Sequence, residues 1–405
     1  MLLKSTLSPV RVTRAWPIAL VVLVSSLFAF PMPAYAQNGS YIKPSIAVGE
    51  FYDDNLFMIP GAVPVTDIVS RVSPGLEVGY RAPRGHLIGH YTFDTEIYPH
   101  NTDLNSPFVR QNAGMDLQYQ VSPKVSFTTI GTYARTHTPY DLRLNGFTGP
   151  TTGLAIGRFE ADQIVINPQV TAQVTGRTKA ILAYNWLRDG FGGQSLINPA
   201  GANTFSSWVS DASARVEHQA TGTTMLGVGY TLRQFGFGNG FGVRSNLFLF
   251  GVRQQFSPLT SLEVWAGPRI TPGDVEPEAT ATLKRAFQRG DMTLNYAQQQ
   301  GTTLGALLPL DVRTVNLQIS VRTSRRVDIG FGPGYFHTSD GTSNLNLNVY
   351  DLGTTIILQL TPQLAVVGSY TYSRQSGRFA TFDQALHHQI ALISFTVTPQ
   401  RGVEF

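Results

Sequence analysis

Three groups of residues have the types that do chemistry. Asp53 and Asp54 are adjacent within GEFYDDNLF (Gly49–Phe57), among Phe51, Tyr52 and Phe57. Paired carboxylates can hold a hard divalent cation or act as an acid/base pair. Neighbours on a strand point to opposite faces, and the alternating Asp pattern of a dedicated calcium loop is missing. The pair therefore reads as a strand-ending turn. His387 and His388 diverge for the same reason and do not grip one ion. His86, His90 and His100 lie near Asp94 and Glu96 and read as wall and loop residues. There is no nucleophile elbow, and no glycine-rich phosphate loop with its lysine. The expectation is that the chain is not an enzyme and carries no metal or cofactor.

The elements that must position these residues are foreshadowed by composition. The chain has 405 residues, of which 14% are charged, with 39 Gly, 24 Phe, 16 Tyr and no Cys. That charged share is about half of what a soluble globular domain carries. The absence of Cys excludes a disulfide scaffold and a thiolate metal site. Lys4, Arg11 and Arg14 precede an apolar run, Ala15 to Phe30, and a small-x-small site, Ala34–Tyr35–Ala36. Residues 1–36 thus read as a secretory signal peptide cut between Ala36 and Gln37, with residues 37–405 as the mature domain. Removing three cations lowers the formal charge from +4 to +1, so the basic balance does not argue for nucleic acid.

From Gln37 onward one rhythm repeats: segments of about 10–16 residues alternate apolar and polar positions and end in turn residues. In VRTVNLQISVR, Val315, Leu317, Ile319 and Val321 oppose Thr314, Asn316, Gln318, Ser320 and Arg322. In MLGVGYTLRQ, Leu226, Val228, Tyr230 and Leu232 oppose Gly227, Gly229, Thr231 and Arg233. Eight short connections, such as 122–124 and 361–363, alternate with nine longer ones: 53–64, 99–107, 138–156, 189–204, 236–242, 271–276, 301–311, 337–343 and 374–382. The expected fold is all-β: a transmembrane antiparallel barrel of about 18 strands, with 16 as the alternative because the strand phase near 177–188 and 386–397 is ambiguous. Strands of this period with short turns on one side belong to the outer membrane of a Gram-negative bacterium. A sheet crossing hydrocarbon must close on itself.

Alternation assigns one set of residues to the lumen: Arg71, Glu77, His90, Asp94, Glu96, Arg110, Asp116, Asp211, Arg215, Glu217, Arg233, Glu263, Arg269 and Arg322. Both signs are mixed among many Gln, Asn, Ser and Thr, which suits a neutral or weakly charged, hydroxyl-rich solute as well as it suits charges paired along the wall. Tyr98, Tyr133, Trp208, Trp265, Tyr335 and Tyr350 are candidates to stack on sugar rings; interfacial girdles are the other use of such aromatics. An 18-strand barrel leaves an aqueous channel, so a folded-in loop is expected, with 138–156 and 189–204 as the longest candidates.

The opening YIKPSIAVGEFYDDNLF, with Tyr52–Asp53–Asp54–Asn55, followed by DIVSRVSPGLEVGYRAPRGHLIGHYTFDTEIY, with Pro74–Gly75–Leu76, resembles the β-barrel porin family of the second type. The resemblance implies an outer-membrane barrel of about eighteen strands. It also implies kinship with barrels that release exopolysaccharide. The leading expectation is the outer-membrane exit for such a polymer. A general diffusion porin and a structural or adhesive surface barrel are the alternatives. The partners expected are outer-membrane lipid, the barrel-assembly machinery, a polysaccharide, and periplasmic or inner-membrane export proteins, with no nucleic acid.

Overall fold

The computed structural model describes residues 39–58, 63–137, 158, 160–192, 206–238, 240–302, 308–339, 345–379, 382–399 and 403–404. The expected cleavage site Ala36–Gln37 and most of the two expected constricting loops lie outside them. The strands, in chain order, are β1 (Gly39–Asp53), β2 (Asp67–Ala82), β3 (Gly85–Ile97), β4 (Ser106–Ser122), β5 (Val125–Thr136) and β6 (Glu160–Gln173). They continue as β7 (Thr178–Gly192), β8 (Ser207–Gln219), β9 (Thr224–Phe237), β10 (Gly242–Ser257), β11 (Thr260–Thr271) and β12 (Asp274–Phe287). The last are β13 (Gly290–Gly301), β14 (Leu310–Arg322), β15 (Val327–Ser339), β16 (Leu345–Gln359), β17 (Leu364–Phe379), β18 (Phe382–Val397) and the two-residue β19 (Val403–Glu404). Each long strand pairs antiparallel with the next. β1 pairs both with β2 and with β18, which closes the sheet. The barrel thus has eighteen long strands, and the ambiguous segments are β7 and β18. Beyond Val397, β19 resumes pairing with β1 at Tyr41 and Ile42.

Alternation explains which face is which. Leu76, Val78 and Tyr80 on β2, Leu226, Val228 and Tyr230 on β9, and Phe248 and Phe250 on β10 stand exposed on the outer face. Their strand neighbours Arg233, Ser245 and Arg269 are buried on the inner one. An outward apolar face of this kind on a closed sheet is a lipid-facing surface. Among the described residues no helix is long and apolar enough to cross a membrane.

One end of the barrel carries tight turns, here called the turn end. A recurrent local device makes them. Thr175 Oγ1 accepts from the N–H groups of Arg177 and Thr178, Thr221 Oγ1 from those of Thr223 and Thr224, and Thr361 Oγ1 from those of Gln363 and Leu364. The threonine hydroxyl thereby satisfies amides that the strands leave behind. The opposite, loop end departs from expectation in two places. The connection expected over 271–276 is the two-residue turn Pro272–Gly273, with Gly273 at φ +87°. Proline then glycine with positive φ is the pairing a type II turn uses. The connection expected over 374–382 is mostly strand, since β17 runs to Phe379 and β18 starts at Phe382. Polar side chains in both segments alternate with the strand instead of marking a loop.

Candidate functional site

The strand registers place all fourteen candidate wall residues on the inner face, and most meet an opposite charge there. Arg71 reaches Glu96 at 2.6 Å and Asp94 at 3.6 Å, and its guanidinium lies 4.3 Å from the Phe51 ring. Arg110 lies 3.5 Å from Asp94. Lys179 pairs with Glu217 at 3.0 Å, Arg253 with Glu263 at 2.6 Å, and Arg322 with Asp328 at 2.9 Å. Asp116 lies 3.6 Å from His86, and Glu77 accepts a hydrogen bond from the Tyr41 hydroxyl. The His90 ring lies over Gly114, in the space a Cβ there would take. Of the six aromatics, Tyr98 and Trp265 are buried, whereas Trp208 and Tyr350 are exposed on the outer face.

The densest part of this network holds a piece of chain inside the barrel. Pairing of β12 with β13 stops at Ala279↔Gln298, while β13 and β14 stay paired to Gly301↔Leu310. The end of β13 thus parts from β12 and turns inward onto β8–β10, still bonded to β14, which itself stays paired with β15 to Asp311↔Ser339. Arg233 Nη1 donates to the Gln300 carbonyl and to Glu278 Oε1, both at 2.9 Å, and Arg233 Nε donates to Asp211 Oδ1 at 3.0 Å. The Gln300 N–H donates to Glu278 Oε1, and Ser245 Oγ donates to Gln300 Oε1, each at 2.9 Å. Thr302 Oγ1 reaches Ser207 Oγ on β8 at 3.3 Å. Arg269 donates to Asp311 at 3.0 Å and also binds Glu276 and Glu278. The other face of the β13–β14 tip is apolar: Leu310 and Val312 pack with Leu345 and Leu347 of β16. One face of the inturned segment is thus tied by charge and the other is buried in aliphatic contact.

At the β1–β18 seam the loop end is filled as well. Leu56 and Tyr98 pack with Phe51 and Val69, and Met58 packs with Leu386. The Tyr98 hydroxyl donates to Glu96 and accepts from Arg158 Nη2 at 2.9 Å. Burial first, and then the Glu96 charge, push the Tyr98 phenol well above its ordinary range, so it remains a donor. Asp53 and Asp54 stand at a strand-ending turn, but their side chains do not diverge as strand neighbours would. The strand ends at Asp53 and the chain bends, so both carboxylates converge on His388, with one ligand atom from each lying within 4.8 Å of the others. The same groups are hydrogen bonded: Asp53 Oδ1 to the Asn55 N–H and to His388 Nε2, both at 2.9 Å, and Asp54 Oδ1 to the Gln389 N–H at 2.7 Å. Asn55 Oδ1 then accepts from the Met58 N–H. The Tyr52–Asn55 stretch thus turns the chain and binds it to β18.

Sequence reasoning did not single out Gln300, Glu278, Asn167 or Asn185. Glu278 had a signal, since it alternates with Glu276 on the polar phase of β12. Gln300 had none, because its phase puts it on the outer face of an undeviated strand.

No protein-family model matches the chain, and no curated protein matches it. Solved structures do. The siderophore receptor PirA from Acinetobacter baumannii overlaps at 6% identity, covering 90% of this chain and 81% of its own, with a TM-score of 0.45. The ferric-catecholate import receptor Fiu from E. coli K12 gives 9% identity, 90% and 82% coverage, and a TM-score of 0.44. A ferric enterobactin receptor mutant from Pseudomonas aeruginosa gives 8%, 90% and 81%, and 0.44. Overlaps this loose transfer neither ligand nor direction of transport. Closure over eighteen strands and the outward apolar belt make this chain an outer-membrane β-barrel of a Gram-negative bacterium.

Proposed function

We propose that the barrel is a gated conduit for a hydroxyl-rich solute and serves as the outer-membrane exit for an exopolysaccharide. The observation that carries this reading is the end of β13, folded inward onto β8–β10 over a polar inner wall whose charges are largely paired with one another. A general diffusion porin works through a standing opening. A conduit for an occasional polymer works with a mouth that closes behind it. Internally neutralised charges with amide and hydroxyl groups between them offer hydrogen bonds to a polyol without an ion preference. In this reading the loop end faces outward and the turn end faces a periplasmic or inner-membrane export partner that supplies the polymer and the driving force.

The test is single-channel recording in planar bilayers, paired with surface-polymer assays in a deletion strain. Wild-type barrel should be mostly closed, and Arg233→Gln with Glu278→Gln should raise its open fraction. Deletion should abolish surface polysaccharide while small-solute uptake persists. Steady high conductance of the wild type, or unchanged surface polymer, overturns the proposal.

A further inference from the structure

Beside the inturned end of β13 lies a cavity of about 330 Å³, at the small end of the range for ligand pockets. Asn167, Gln169, Asn185, Asp211, Arg215 and Trp265 line it. Three buried polar atoms on its wall, Asn167 Oδ1, Asn185 Oδ1 and Arg215 Nε, have no hydrogen-bond partner within the protein. Buried polar atoms are nearly always satisfied, so three orphans around one space point to an occupant. They are two acceptors and one donor, the set that a cluster of hydroxyls answers from both sides.

Trp265 is placed with equal care. Its indole lies over Gly227 and Gly251, where added Cβ atoms would come within 2.4 and 2.5 Å of the ring. Its Nε1–H donates to Glu263 at 2.8 Å, and the Arg215 guanidinium lies 4.9 Å from the ring. Two glycines in register thus make a slot for an aromatic ring on the inner wall. The nearby charges are already spent on each other: Asp211 and Glu278 both bind Arg233.

We propose that this cavity is a binding subsite for one ring of a neutral saccharide. Sugar hydroxyls donate to Asn167 Oδ1 and Asn185 Oδ1, and a sugar oxygen accepts from Arg215 Nε, whose guanidinium covers the Trp265 ring and couples it to the occupant. The proposal rests on the reading of the barrel as a conduit for hydroxyl-rich solutes and names the unit that the lumen recognises.

The test is fluorescence titration of the full chain in detergent, carrying Trp16→Phe, Trp186→Phe and Trp208→Phe so that Trp265 alone reports. The probes are maltose, cellobiose and, as an anionic comparison, glucuronate. A saturable change in Trp265 emission is expected with at least one neutral disaccharide, weakened about tenfold by Asn185→Leu or Asn167→Leu, roughly one hydrogen bond each. Heat-modifiability on gels establishes that each variant is folded. No saturable change with either disaccharide means that the cavity holds only water, and the proposal fails. It fails equally if both leucine variants respond like their parent, or if glucuronate binds more tightly than the neutral sugars. Because binding is read without transport, a negative titration beside a barrel that gates in bilayers removes the subsite and leaves the conduit standing.

Discussion

Arg233 shows how one side chain holds two parts of the molecule in place. It is buried among Asp211, Glu278 and the Gln300 carbonyl. Truncating it leaves Asp211 without its cation and Glu278 with Arg269 alone. Breaking a buried pair in this way costs about 3–5 kcal/mol. Arg233→Ala should therefore lower stability by about that amount in urea unfolding from lipid vesicles. Arg322→Ala, on an exposed pair with Asp328, should change it by less than about 1 kcal/mol. Sequence alternation puts Arg233 and Asp211 on the same face, and that much is legible. The third partner is not, because a backbone carbonyl brought from β13 leaves no trace in the pattern around either residue.

At the scale of elements, strands proved readable and connections less so. Period-two alternation in VRTVNLQISVR defines β14 because its two faces meet different surroundings. Around 271–276 the polar residues Asp274 and Glu276 imitate a loop, yet they belong to a strand whose outer neighbours Val275 and Pro277 complete the alternation. The inturned end of β13 is invisible for a physical reason: it keeps strand hydrogen bonding to β14 while parting from β12. Its position can be fixed chemically. The chain has no cysteine, and Thr302 and Ser207 bring their hydroxyls within 3.3 Å. A Ser207→Cys, Thr302→Cys barrel should form a disulfide under oxidation and stay closed in bilayer recordings, and should recover its openings on reduction. Openings that ignore the redox state would show that the tip is not the obstruction.

For the whole molecule, the governing fact is that its apolar surface points away from its own interior. Phe250 is 66% exposed midway along β10, where water would be unfavourable and lipid is not. Phe250→Arg should reduce folding stability in vesicles by about 2–4 kcal/mol, while the same substitution at Phe256, near the turn end, should cost less. If both cost nothing, the belt does not face lipid. The closing seam carries a consequence of its own. β1 meets β18 along Ile46–Asp53 and β19 along Tyr41–Ile42. Among the described residues, Lys43–Ser45 lie between these two stitches with a pairing partner only on the β2 side. This seam joins the first strand to the last, so the ring cannot close before β18 is in place, and among the described residues it is interrupted at Lys43–Ser45. It is accordingly the clasp of the barrel, the line whose two edges must meet for every backbone group of the wall to find a partner.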